Sequence, residues 1–210
     1  MPEPRKPIHA AGQRLAPRRT AGLAIAVLAA LALPLDGHGR GGVNEAFATP
    51  TEHGERTGEA VVGQIAPKFS LWTFDDTESV TPNSALQSAG AMPRGVIVSF
   101  YAYSCEVCKK VSLPALRSLM ADKDASRGLA VILVAVGGEG DVINNQSVFD
   151  SADIKRSVGC ADKFGVVAKR YDANPLPRTI ILDAKLQVRQ VYTREGADFL
   201  DVLRRDTAKL

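Results

Sequence analysis

Side chains that bind metals are scarce in this chain. It contains only three cysteines and three histidines among 210 residues. The histidines (His9, His38 and His53) all precede the part whose pattern predicts a folded domain. A zinc site needs about four ligands, so the sequence predicts no metal, and we expect no cofactor. What must be explained is a pair of neighbouring cysteines and one remote thiol.

An excess of either charge is also missing from most of the chain. The full sequence has 26 basic and 23 acidic residues. Residues 1–48 contain six of the basic and three of the acidic ones, so residues 49–210 contain 20 of each. A neutral remainder gives no indication of a nucleic-acid partner. Internal repeats and low-complexity blocks are absent too, and the roughly 160 remaining residues suit a single domain.

The first 48 residues have the pattern of an export signal. Residues 1–20 contain five basic side chains and one acidic one, and residues 21–35 have no charged or polar side chain. That apolar run is shorter than the ~20 residues that span a bilayer, but it suits the hydrophobic region of a signal peptide. A candidate cleavage motif, Ala46-Phe47-Ala48, follows at an unusually long distance, so an uncleaved anchor is the alternative. We expect 1–48 to be a signal peptide or membrane anchor, 49–61 a flexible leader and 62–210 a folded domain in the periplasm or another extracytoplasmic space.

The most informative residues are Cys105 and Cys108, which follow the apolar, β-type run Gly95–Tyr101 and begin a helical pattern. Two cysteines three apart at the start of a helix can form a disulfide and release it again. We expect the sulfur of Cys105 to be exposed on the first turn, where free backbone N–H groups and the helix dipole stabilise its thiolate. Cys108 should be buried one turn further on. The pair predicts thiol–disulfide exchange, and a static structural disulfide is the alternative.

The remaining pattern alternates between strands and helices and predicts an α/β domain with a mixed central sheet flanked by helices. The helix after Cys105 should be kinked by Pro114. Glu195 is expected in the first turn of the last helix, where the dipole favours an acidic side chain. The predicted strands cover 69–72, 95–101, 129–136, 179–182 and 186–192, and the predicted helices cover 82–88, 105–123, 142–156, 163–171 and 195–209.

Three further segments resemble one family. They are the opening Gly63-Gln64-Ile65-Ala66-Pro67-Lys68-Phe69, the Phe100-Tyr101-Ala102 that precedes Cys105, and Leu176-Pro177-Arg178-Thr179. In order and spacing they resemble the thioredoxin-fold family, in its TlpA/ResA-like branch of extracytoplasmic thiol–disulfide oxidoreductases. The resemblance runs over 62–210 and implies a three-layer thioredoxin-like fold. It also implies a cis peptide bond before Pro177, beside Cys105, where the backbone could pair with an extended substrate.

Several positions depart from the family pattern. Ser104 precedes the first cysteine where the family often has Trp, and Glu106-Val107 replaces a frequent Pro-Pro. Leu113 occupies the place before the helix proline where this branch often has a glutamate, so the usual proton acceptor is missing. The charge of Glu106 should raise the pKa of Cys105 somewhat.

The resemblance also suggests substrates and partners. It implies a disulfide-containing envelope protein as the substrate, with apocytochrome c as one example, and a membrane reductant similar to DsbD. Besides the reactive residues Cys105, Cys108 and Pro177, the substrate-contacting residues would be Tyr103, Glu106, Val107 and Leu176.

Two other functions remain as alternatives. A peroxiredoxin-like thiol peroxidase shares the opening motif, but Val98 and Ala102 occupy the positions of its proline and threonine. A copper-delivery or interaction domain would need a different cysteine spacing and a distant histidine. Cys160 is expected in a turn, either as an idle thiol or as half of a regulatory disulfide, and Trp72 is expected in the core.

Overall fold

The structure, a computed structural model, describes residues 60–210. The predicted signal peptide or anchor over 1–48 and nearly all of the predicted leader over 49–61 lie outside the described residues. Within 60–210, no helix combines the length and the apolar character that a membrane crossing requires.

A five-stranded mixed sheet forms the centre of the domain, with strand order β5-β4-β3-β6-β7. β3 runs parallel to β4 and antiparallel to β6, and every residue of β3 is buried. Such continuous apolar runs are typical of strands that are covered on both faces. The strands are β1 (Leu71–Trp72), β2 (Ser79–Val80), β3 (Gly95–Tyr101), β4 (Leu129–Val136), β5 (Ser157–Asp162), β6 (Arg178–Asp183) and β7 (Val188–Tyr192).

Helices cover both faces of the sheet. Because side chains alternate along a strand, Val98 of β3 faces one part of the core and Ile97 faces the other. α1 and α4 pack on the first side, and α2 and α5 pack on the second. The α-helices are α1 (Pro82–Ser88), α2 (Leu113–Ala121), α3 (Val142–Ala152), α4 (Val166–Arg170) and α5 (Phe199–Thr207). The three-layer α/β prediction is therefore confirmed.

A π-helical segment, Cys108–Ser112, lies immediately before α2. Pro114 has no N–H group and cannot continue an α-helical hydrogen-bond ladder. The structure accommodates this with wider turns: the N–H of Leu113 donates to the carbonyl oxygen of Cys108, five residues earlier. Such segments insert one additional residue into a helix.

The prediction that Cys160 lies in a turn is wrong. Cys160 belongs to β5, which pairs in parallel with β4. The sequence of β5 is short of large apolar residues, so its pattern is weak. Gly159 in that strand is needed for packing, because a Cβ there would meet the rings of Phe74 and Phe149 at 2.7 and 2.8 Å.

Two other predictions are corrected by burial. Trp72 lies in the short edge strand β1 and is 56% exposed, so it does not belong to the core. α5 begins at Phe199 rather than at 195, and Glu195 lies in the connection between β7 and α5, where it is only 7% exposed. Its carboxyl group therefore serves no helix terminus.

Candidate active site

Cys105 and Cys108 form a disulfide where β3 passes into the following helix. The side chain of Cys105 is half-buried, whereas Cys108 is fully buried. The backbone N–H of Cys108 donates to Sγ of Cys105 over 3.1 Å. A donor at that distance stabilises negative charge on the more accessible sulfur, as the position at the start of a helix does. The geometry gives the two sulfurs different chemistry: one can meet a partner and the other can act only on its neighbour.

Asn145 of α3 holds the loop that leads to the disulfide. Its Oδ1 accepts a hydrogen bond from the backbone N–H of Tyr103 at 2.8 Å, and its carbonyl oxygen accepts one from the hydroxyl of Tyr101, also at 2.8 Å. Burial raises the pKa of Tyr101, which keeps its hydroxyl a donor. Sequence reasoning missed Asn145, because a single asparagine inside a helix carries no signal of a contact 42 residues away.

The solvent side of the disulfide carries a small cluster of charges. Glu106 forms ion pairs with Lys109 at 2.5 Å and with Lys110 at 3.1 Å. Hydrogen bonds from Lys109 and then Lys110 are the main causes that lower the pKa of Glu106. The negative charge expected to oppose ionisation of Cys105 is therefore accompanied by two positive ones. Val107, between the two cysteines, is 44% exposed.

The segment that enters β6 lies at the same end of the sheet. Arg178 pairs with Phe100 in the β3–β6 register, so the residues just before β6 lie beside the loop that follows β3. Pro177 is buried, Leu176 is half-buried, and the peptide bond between them is cis, as is the bond before Pro175. Tyr103, at 39% exposure, completes the set of predicted substrate-contacting residues at this end.

A group of polar side chains lies on the core side of the disulfide. Ser99 and Thr179 are partners across β3 and β6, with their hydroxyl oxygens 2.9 Å apart. Ser112, at 1% exposure, and Glu195 complete the group. Neither carboxyl oxygen of Glu195 nor Oγ of Ser112 has a hydrogen-bond partner among the described residues. Sequence reasoning found none of these four residues as site residues.

Cys160 lies apart from this site. It is fully buried in β5, and its thiol donates a weak hydrogen bond to the carbonyl oxygen of Leu133 at 3.7 Å. Burial, with a smaller contribution from Asp162, raises its pKa to about 12. Such a thiol is inert as a nucleophile near neutral pH. No cluster of three or more potential metal ligands occurs within residues 60–210.

Comparison with solved structures shows a thioredoxin-like fold. The similar structures include a Chlorobium tepidum protein described as a thiol:disulfide interchange protein, DsbE, with a TM-score of 0.60 and 17% identity over 72% of this chain and 98% of that one. They also include a secreted Mycobacterium tuberculosis disulfide oxidoreductase homologous to Escherichia coli DsbE, with a TM-score of 0.53 and 19% identity over 68% and 96% of the two chains. Mycobacterium tuberculosis DsbF, in mixed oxidised and reduced forms, matches with a TM-score of 0.55 and 19% identity over 69% and 98%.

Comparisons at the level of sequence do not assign the chain to a family. No family model matches the chain. No curated protein matches it either.

Proposed function

We propose that this protein is an exported thiol–disulfide oxidoreductase of the TlpA/ResA-like type, which exchanges disulfides with envelope proteins. The observation that carries the proposal is the unequal cysteine pair: Cys105 is half-exposed at the start of a helix and accepts a backbone hydrogen bond, while Cys108 is buried. Among the residues described, this is the one thiol pair, because Cys160 is buried and distant in the sheet.

The reaction begins with the reduced pair. The Cys105 thiolate attacks a disulfide of the partner, forms a mixed disulfide and displaces the first partner sulfur as a thiolate. The Cys108 thiolate then attacks Sγ of Cys105, which breaks the mixed disulfide and releases the second partner sulfur. Two electrons pass to the partner, and the Cys105–Cys108 disulfide remains. A membrane thiol reductant of the DsbD type would reduce it again.

The surroundings of the disulfide supply a place for an extended substrate. The backbone before Pro177 lies at the same end of the sheet as Cys105 and can pair with a passing strand. Leu176, Tyr103 and Val107 offer partly exposed apolar surface near it. Glu106 adds a charge that selects among substrates only weakly, because it is already paired with lysines.

The peroxidase and copper alternatives have no comparable support. Val98, at the position where a peroxiredoxin has its proline, is fully buried in β3. For copper delivery, no second soft ligand group accompanies the cysteine pair within the described part of the chain.

The decisive experiment follows insulin reduction with the full chain and dithiothreitol. Cys105→Ser should lower the rate by more than about 100-fold, because the attacking thiolate is gone. Cys108→Ser should instead accumulate a mixed disulfide, and the same variant expressed in the envelope would capture the natural substrate. Cys160→Ala is the matched control, and it should retain the full rate. Wild-type activity in Cys105→Ser would refute the proposal.

The envelope assignment has its own test. Cell fractionation should place the chain outside the cytoplasm, with a mass that distinguishes cleavage after Ala48 from an intact anchor. A cytoplasmic location with a fully intact N-terminus would contradict export.

A further inference from the structure

Arg178, the first residue of β6, carries a buried positive charge. It is only 7% exposed, and arginine is almost never buried to this degree unless it is paired. Its partner is Asp172, whose half-exposed carboxylate accepts a hydrogen bond from a terminal nitrogen of Arg178 at 2.5 Å. The Arg178 guanidinium also donates to the backbone carbonyl oxygen of Asp172, from Nε at 2.8 Å and from a terminal nitrogen. Arg178 therefore holds both the backbone and the side chain of one residue.

The two residues of this ion pair lie at the two ends of one loop. Asp172 follows α4 and has a positive φ of 50°, a conformation that commonly ends helices. Arg178 begins β6 at the active-site end of the sheet. Between them lies the docking segment, residues 173–177, which includes Leu176 and Pro177. The ion pair thus closes the loop whose backbone faces the proposed substrate.

Few other polar contacts hold the docking segment. At its start, the N–H of Ala173 donates to the carbonyl oxygen of Ala168 at 2.7 Å. In the described part of the chain, no backbone hydrogen bond involves residues 174–177. Pro177 is buried, and Leu176 packs partly against the core. The backbone groups of the segment are therefore left unpaired for a substrate, and the ion pair is the polar contact that joins its two ends.

Stability alone does not explain a charge at this position. Replacing a buried ion pair with apolar side chains of similar volume is often neutral or stabilising, because both charges lose hydration when they are buried. A guanidinium group differs from an ammonium group in presenting its N–H donors as a rigid planar fork, which fixes the geometry of the group that it binds. The forked contact of Arg178 with the backbone and the carboxylate of Asp172 therefore points to a role in setting the geometry of the loop.

The charge of Arg178 lies on the other side of the sheet from the buried sulfur. Side chains alternate along a strand, so Arg178 points to the same side of β6 as Ile180, whereas Cys108 packs on the opposite side. Removal of the guanidinium should therefore change how a polypeptide docks without changing the attack by Cys105.

We propose that Arg178, through Asp172, holds the docking segment in the position in which it pairs with an extended substrate. This inference rests on the proposed docking of the substrate beside Pro177. The ion pair fixes the start of the segment relative to β6, and hence relative to Cys105, which follows the neighbouring strand β3. Because the loop is ordered beforehand, less conformational freedom is lost when the substrate binds. Arg178 touches no reacting atom and acts as a positioning residue.

The test compares a protein substrate with a small one. Insulin reduction by the full chain and dithiothreitol, followed over a series of insulin concentrations, gives KM and kcat. Arg178→Met should raise the KM for insulin about tenfold, roughly the equivalent of one hydrogen bond, while kcat stays within about twofold. Such a pattern indicates lost binding rather than lost chemistry. The reduced variant should react with 5,5'-dithiobis(2-nitrobenzoate) within about twofold of the wild-type rate, since attack on this small disulfide needs only Cys105.

Arg94→Met is the matched control. Arg94 precedes β3 at the far end of the sheet, and its guanidinium also donates to the backbone of a loop, to the carbonyl oxygens of Arg127 at 2.7 Å and Ala125 at 2.9 Å. The control variant loses comparable contacts, but its KM for insulin should keep the wild-type value. An equal rise of KM in both variants would assign the effect to general loosening and overturn the role of Arg178.

Asp172→Asn decides the question even if Arg178→Met folds poorly. It removes the charge of a half-exposed side chain and leaves the backbone carbonyl group in place. Hydrogen bonds between charged groups are roughly twice as strong as neutral ones, so KM should rise about threefold with kcat unchanged. An unchanged KM would overturn the proposal. Insulin reduction by Cys105→Ser at the wild-type rate would instead refute the proposed function, so the two failures are distinguishable.

Discussion

The two sides of the Cys105–Cys108 disulfide differ in how their charges are satisfied. On the solvent side, Glu106 is paired with two lysines that lie within four residues of it. On the core side, Glu195 has no hydrogen-bond partner among residues 60–210 and comes from a distant part of the chain. Water and salt screen the first set, whereas the second is shielded from both. Strong effects on the redox chemistry should therefore arise from the core side.

The two sides of the disulfide should differ most in stability when the same new negative charge is placed on each of them. Ser112→Asp adds a carboxylate against Glu195 in a buried position, where an uncompensated charge costs about 3–5 kcal/mol. Val107→Asp adds it where the side chain is 44% exposed, and surface changes stay within about 0.5 kcal/mol. Urea unfolding of the two oxidised variants measures both. Equal stabilities would remove the contrast between the sides.

The second-largest effect should come from losing the hydrogen bond between Asn145 and the loop that leads to Cys105. Asn145→Ala leaves the N–H of Tyr103 without its acceptor, which should cost about 1–3 kcal/mol and slow exchange by Cys105. Tyr101→Phe is the control, because it removes the other hydrogen bond to Asn145 and leaves Tyr103 anchored. That variant should lose stability without a change in exchange rate. The two variants are compared by urea unfolding and by insulin reduction, and equal effects on exchange would contradict the anchoring role.

These residues show which parts of the site a sequence pattern can predict. The boundaries of β3, β4 and α1 were predictable because their apolar periods and caps are local. The cysteine pair and the lysines around it are local as well. Glu195 was assigned to a helix terminus because an acidic residue before an amphipathic run usually lies there. Only the turn after β7, which returns the chain beside the helix that carries Ser112, places its side chain inside.

The predictions for β5 and for Trp72 were wrong for the same reason. A strand formed where the sequence predicted a turn, and a large apolar side chain stayed exposed where the sequence predicted burial. β5 has little intrinsic strand character and forms because β4 offers it an unpaired edge. Trp72 is large and apolar, yet its short strand pairs only with β2 at the surface, and so the ring remains exposed. Neighbours that are distant in sequence decide both outcomes.

A smaller effect should follow from the pH dependence of stability. The folded pKa of Glu195 is raised above 4.5, so the folded carboxyl keeps its proton at pH values where the unfolded one has lost it. The free energy of unfolding of the oxidised protein should therefore fall as pH rises from about 4.5 to the folded pKa and then level off. Glu195→Gln should lack this decline, which urea unfolding at a series of pH values would reveal. A difference between the two proteins that is independent of pH would contradict the raised pKa.

The smallest effect is expected on the solvent side. Glu106→Gln leaves Lys109 and Lys110 unpaired near Cys105, which should raise the alkylation rate of the Cys105 thiol near neutral pH by no more than about twofold, and by less at high salt. Alkylation rates of the reduced protein against pH, at two salt concentrations, measure the change. A much larger change that persists at high salt would show that this side is not screened.

The π-helical segment determines which way the side chains of the helix after the cysteine pair point. One residue of an α-helix corresponds to about 100° of rotation, so deleting a single residue between Cys108 and Pro114 would turn a different side chain toward Glu195. The residue that faces Glu195 from this helix is thus fixed by the length of one insertion, and a one-residue change in chain length would replace it while leaving the disulfide itself in place.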